Sequence, residues 1–128
     1  MKTSIKILCI AVLAGLSTSA FAHHGWRGYT VDYNFTATVT SVTFRMPHAY
    51  IIAEDEAGTV WNLFLAPADR NREFGYDEDS IPTGEVIQLV GQHQSGGTEG
   101  KVHFANSLAG ENYYTYYYDN GSTSWERR

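Results

Sequence analysis

The segment Asn34–Met46 (NFTATVTSVTFRM) constrains the fold more than any other part of the chain. Its residues are largely β-branched or aromatic, and they alternate. Phe35, Ala37 and Val39 share one parity, whereas Val42, Phe44 and Met46 share the other. A strand shows the same face at every second residue, so a change of parity requires one extra residue. A β-bulge at Ser41-Val42 would supply it. Long first strands that bend in this way belong to small closed barrels.

The later segments agree with this start. Pro47 breaks the run, and His48–Glu54 (HAYIIAE) forms a second strand. Asp55–Gly58 makes a turn. Thr59–Leu65 is a third strand, with Trp61, Leu63 and Leu65 on one face. Ala66–Gly75 changes character: Pro67 suits the start of a short helix and Gly75 its end. Tyr76–Thr83 is an acidic loop containing Asp77-Glu78-Asp79. It lacks the Asp-x-Asp-x-Asp-Gly pattern of a calcium loop. Glu85–Gln92 is a fourth strand and Ser95–Gly100 a flexible connection. Lys101–Leu108 is a fifth strand, with Val102, Phe104 and Leu108 inward and His103 outward. Tyr113–Tyr118 and Ser122–Trp125 flank Asn120-Gly121, a strong hairpin turn. Three strands, a helix and two strands is the order of an OB-like barrel. The expectation is an all-β domain over residues 23–128. It would be a five-stranded antiparallel OB-like barrel with one short helix between strands 3 and 4 and a C-terminal hairpin extension. A small open sandwich is the alternative.

Residues 1–22 have a different purpose. A basic start, a ten-residue apolar run (Ile7–Leu16) and a small-residue stretch ending Ala20-Phe21-Ala22 form the layout of a cleavable signal peptide. The run is shorter than the about 20 residues of a membrane-spanning helix. Export to the periplasm is then expected, with no membrane span left in the mature chain. Cys9, the one cysteine, would leave with the leader. No disulfide could then brace the domain, and its core must hold it. Seven basic against fourteen acidic side chains give the mature chain a formal charge of −7. An acidic chain without a basic cluster argues against a nucleic-acid partner.

Cleavage after Ala22 would expose His23-His24-Gly25-Trp26. An N-terminal histidine offers two adjacent nitrogen donors, its α-amine and its ring. The amine has a pKa near 7.7–8.0, so a metal can displace its proton at neutral pH. A third nitrogen would complete a tetragonal set, which favours Cu(II). His24 could supply it through its backbone amide and ring. His48 is the distant candidate, because it follows Met46-Pro47 at a strand break, and Met46 adds a thioether suited to Cu(I). The eleven residues His23–Tyr33 could reach about 36 Å if extended, enough to run back to Pro47. His93 and His103 are weaker candidates. No catalytic motif is present: no Gly-x-Ser-x-Gly, no phosphate-binding glycine loop and no His-Glu-x-x-His.

The residues His23-His24-Gly25-Trp26, Pro47-His48-Ala49, Trp61, Leu65-Ala66-Pro67, and Gly84 with Val86 and Gly91 carry a resemblance. The chain resembles a family of small secreted bacterial proteins built on a domain of unknown function. Their mature start is His-His-Gly-Trp, and a Pro-His-Ala motif comes after the first strand. The likeness runs to about Leu108 and leaves out the tyrosine-rich tail. Met46 stands where that family has Asn. The resemblance implies secretion and fold, and it draws His23, His24 and His48 into one set. The expected function is therefore a periplasmic metal-binding protein, of carrier or metallochaperone type, with copper as its ion and no enzymatic activity. A periplasmic partner protein is compatible with that role. The alternative is a metal-independent OB-like module that binds a partner protein or a saccharide. A copper oxidase like the polysaccharide monooxygenases is disfavoured by the shortness of the chain.

Overall fold

Strand β1 (Tyr29–Phe44) is the longest element, and its pairing sets the architecture. In the computed structural model, which describes residues 27–128, its first half pairs with β4 (Val86–Gln94), from Tyr29↔Gln94 to Thr38↔Val86. Its second half pairs with β2 (Ala49–Asp55), from Ala37↔Asp55 to Phe44↔Ala49. The register with β2 shifts between Val39 and Ser41, so Thr40 is the extra residue. The bulge falls just ahead of the expected Ser41-Val42 step and has the expected effect. Ala37 and Val39 are buried before it, and Phe44 after it. The strand starts at Tyr29 instead of Asn34, and it ends at Phe44, before Met46.

β3 (Val60–Phe64) pairs antiparallel with β2 and parallel with β5 (Glu99–Asn106), through Asn62↔Glu99 and Phe64↔Lys101. β4 and β5 are antiparallel neighbours. The ring therefore runs β1-β2-β3-β5-β4 and back to β1. Directions cannot alternate at every seam of a closed ring with an odd number of strands. The parallel β3–β5 pair is the one seam where alternation fails; the other four seams are antiparallel, as expected. Between β3 and β4 lies one short helix, α1 (Ala68–Glu73). Pro67 precedes it, and Gly75 comes after it at φ +90°, a left-handed conformation that favours glycine. The connectivity is that of an OB-type barrel.

The interior is filled by Val39, Ile51, Leu63, Ile87, Leu89 and Val102, each fully buried. A second register shift, between β4 and β5, pairs Val90 with Phe104 and Gly91 with Val102. His103 is the extra residue, and it reverses the parity of the rest of β5. Ala105 joins Val102 in the core, while Phe104 turns outward against Trp125, ring centroids 5.4 Å apart. Leu108, expected inside, lies beyond the strand and is 65% exposed. The tail also differs from a simple hairpin. Its first part is a sixth strand, β6 (Asn112–Thr115), added antiparallel to β5. The Asn120-Gly121 turn then folds the end back through the bridge Tyr117↔Thr123. Among the described residues no helix is long and apolar enough to cross a membrane.

Candidate functional site

The signal-peptide expectation for residues 1–22 and the candidate ligands His23 and His24 lie outside the described residues. The other two candidates, Met46 and His48, share the loop between β1 and β2. Both are exposed, Met46 at 59%. The Met46–Pro47 peptide bond is cis. The His48 ring stands edge-on to Phe64 of β3, centroids 6.0 Å apart, and Tyr50 packs on the same ring at 6.4 Å. The loop thus presents an imidazole and a thioether together at the rim of the barrel, one of the edges at which OB folds take ligands. Among the described residues no three His, Cys, Asp or Glu side chains converge to hold a metal ion. Of the four candidate ligands, the two that lie among the described residues are in this loop.

The early start of β1 shortens the lead that precedes the sheet. Tyr29–Tyr33 are fixed in the sheet, which leaves six residues, His23–Gly28, to reach back, about 20 Å when extended. Measured along β1, the loop is far away. Across the closed barrel a chain of contacts links the two. The Tyr29 hydroxyl donates to the Glu99 carboxylate at 2.8 Å, which fixes the start of β1 beside the start of β5. Glu99 pairs with Asn62 across the parallel seam. Phe64 is two residues further along β3, about 7 Å, and His48 rests against it. Barrel closure therefore brings the front of β1 and the β1–β2 loop to the same flank. The sequence carries no sign of this, because it depends on a pairing between strands far apart in the chain.

His93 occupies a different setting, near the end of β4 and opposite Val31 of β1. Its Nδ1 faces two backbone oxygens, of Gln94 at 2.6 Å and Gly97 at 3.1 Å. Two acceptors at one nitrogen place the proton on Nδ1 and leave Nε2 as a lone-pair donor, the tautomer by which many histidines hold metals. The ring meets Trp61 edge-on at 5.1 Å and lies 6.1 Å from Tyr33. Trp61 is itself fixed: its indole donates to Asp55 at 2.9 Å. That bond, with the backbone donors of Thr59 and Ala57, lowers the Asp55 pKa. Tyr33, Phe35 and Trp61 pack as one aromatic cluster, which accounts for these residues as packing.

His103 corrects the expectation of an outward, solvated side chain. It is 1% exposed, because the tail lies over it. Its Nδ1 is 2.6 Å from the Ser124 hydroxyl, and Trp125 stands edge-on at 5.8 Å. Nε2 has no hydrogen-bond partner. Burial, and after it the charge of Lys101, pushes the His103 pKa down to about 4. Lys101 is 4% exposed, and its ammonium donates to the Tyr118 hydroxyl at 3.1 Å above the rings of Tyr116 and Tyr118. Burial pushes its pKa down to about 8. The strand pattern carries no hint of this cluster. The signal that could have found it is the density of Tyr and Trp in the tail, which need a surface to cover.

A groove of about 350 Å³, lined by Asn34, Phe35, Thr36, Gln88 and Leu108, contains none of the candidate ligands. The fold defines an OB-type barrel with an added strand and a C-terminal segment packed across β5. No protein-family model, curated protein or solved structure matches the chain.

Proposed function

We propose that the mature chain is an exported copper-binding protein of the carrier type. The α-amine and ring of His23 form the first two donors. His24 and His48 offer the remaining nitrogens, and Met46 offers a soft ligand for the reduced ion. The observation that carries this reading is the closure of the barrel between β3 and β5. It joins β3, against which His48 rests, to β5, whose Glu99 holds the Tyr29 hydroxyl at the start of β1, and this supports a site shared by the two. The chemistry agrees with the geometry. A terminal amine loses its proton to a metal far more readily than a lysine does, and nitrogen-rich tetragonal sets select Cu(II). A solvent-facing loop suits a protein that takes up and hands on an ion.

The test is Cu(II) titration of the exported protein. A version with one added N-terminal alanine and a His48→Ala variant are titrated alongside it. Loss of at least tenfold in affinity is expected for both. His93→Ala should bind as the parent does. Equal affinity in the alanine-extended version refutes the reading, and a loss confined to His93→Ala moves the third nitrogen to β4.

A second reading rests on a separate observation. The outward residues of β2 and β3 meet in cross-strand pairs, Tyr50 with Phe64, Ile52 with Asn62 and Glu54 with Val60. This is the face that OB folds offer to ligands. On this reading the barrel docks a saccharide or partner protein without metal, and chelator-treated protein keeps its full affinity for that partner.

A further inference from the structure

The tail after β6 is held in two separate places. Its first part is tied to α1: Tyr117 stacks on Phe74 with centroids 4.6 Å apart and planes 12° apart, and Asp119 accepts from Arg70 at 2.7 Å. Its last part, beyond the Asn120-Gly121 turn, folds back on Tyr116–Tyr118, where the Tyr118 amide donates to the Ser122 carbonyl at 2.8 Å and Tyr117 bridges Thr123, and from there it covers β5; undocking it breaks these bonds while the α1 anchors remain. There Ser124 meets His103, Trp125 covers His103 and Phe104, and the Ser124 amide donates to the Tyr116 carbonyl at 3.0 Å.

We propose that Ser122–Arg128 is an acid-released strap, held on β5 while His103 is neutral and undocked when His103 takes a proton. The geometry supplies the reason. A neutral imidazole satisfies Ser124 through Nδ1 and leaves Nε2 dry and unpartnered. An imidazolium carries an N–H at both nitrogens, and the one at Nε2 finds no acceptor in that space. Its charge also joins two other cations, Lys101 on β5 and Arg128 on the strap itself, against the carboxylate of Asp32 on β1. Ser124 and Trp125 are the groups that keep water from the ring. Lifting them hydrates the imidazolium and moves Arg128 away with them. The Asn120-Gly121 turn is the hinge, since the residues before it stay bound to α1. The direction of the His103 shift agrees: the folded protein resists that proton.

The experiment is an NMR titration of the intact mature protein between pH 7 and 3.5, tracking backbone order parameters and the His103 ring carbons together. Strap amides should fall from about 0.85 to below about 0.6 in step with the His103 titration, while β1–β5 stay rigid. In His103→Gln the strap should stay docked across the range. Three results overturn the proposal: a strap that stays rigid after the ring carbons report a charged His103, a strap that loosens while they report a neutral one, or a His103→Gln protein whose strap loosens at the same pH as the parent's. The first two are read on the wild-type chain and stand even if the variant does not fold.

Discussion

Replacing Tyr114 with phenylalanine isolates what holds the tail, the helix and the third strand together. Tyr114 is fully buried, and its hydroxyl sits at the centre of a closed polar group. It accepts from the Ala66 amide at 2.9 Å and donates to the Asn71 side-chain oxygen at 2.8 Å. The Asn71 amide donates in turn to the Ala66 carbonyl at 2.7 Å. Asn71 is 2% exposed, so water has little access to restore a lost partner. Phenylalanine keeps the ring and strands two groups, the Ala66 N–H and the Asn71 carbonyl oxygen. A buried polar group left without a partner costs about 1–3 kcal/mol, so the pair costs about 2–6 kcal/mol, less what is regained by not burying the hydroxyl. A net loss of about 3 kcal/mol is expected, or roughly 12–20 °C in Tm for a domain of this size. Tyr76→Phe is the internal comparison. Its hydroxyl accepts one bond, from the Thr115 amide at 3.2 Å, and is only partly buried, so about 1 kcal/mol is expected. Urea unfolding measures both, and a lower midpoint at unchanged slope identifies a stability change. If Tyr114→Phe costs no more than Tyr76→Phe, the three-way network is not what fixes the tail to α1.

Gly91→Ala should destabilise by more than about 3 kcal/mol, beyond ordinary overpacking, because a Cβ there collides with the Lys101 carbonyl as well as with the Tyr33 ring. Removing Tyr33 should not rescue it, since the carbonyl is backbone; a Gly91→Ala protein restored by Tyr33→Ala would refute that account. Stability should also fall with acid. The His103 pKa is about 4 when folded against 6.5 when unfolded, so the unfolded chain binds this proton first. The contribution is intact above pH 6.5 and is lost as pH drops toward 4, by at most about 3 kcal/mol before solvent screening reduces it. His103→Gln should flatten this part of the pH–stability curve, and an unchanged slope would assign it to other groups.

The barrel was legible because its signals are local. The parity change in β1 required a bulge, the Pro67 and Gly75 pair bracketed a helix, and the hydrophobic alternation of β2, β3 and β4 marked one inward face in each. What escaped was non-local. The second bulge, at His103, leaves no clear mark in Lys101–Leu108, because Phe104 and Ala105 can each serve as an inward residue. The early start of β1 escapes for a related reason. Val31 and Asp32 break the apolar alternation, yet both are held by pairing with His93 and Gln92.

The candidate site divides along the same line. Residue chemistry alone puts Met46 and His48 forward, and a strand break with a polar side chain just beyond it is a local sign that a loop faces solvent. What no local sign could supply is the company they keep. His48 sits against Phe64, Phe64 pairs with Lys101, and Glu99 beside them takes the hydroxyl of Tyr29. The first contact belongs to the β2–β3 hairpin, but the step from Phe64 to Lys101 crosses the β3–β5 seam, and that seam exists only because five strands close into a ring. The two buried basic side chains show the converse. Lys101 and His103 carry side chains that belong in water, and strand parity alone would leave them there. The tail turns an outer face of β5 into an interior one. A side chain chosen for solvent and then covered retains its demand for solvent, and the lowered pKa values of both groups record that unmet demand. This is why acid should act on the strap before it acts on the barrel beneath.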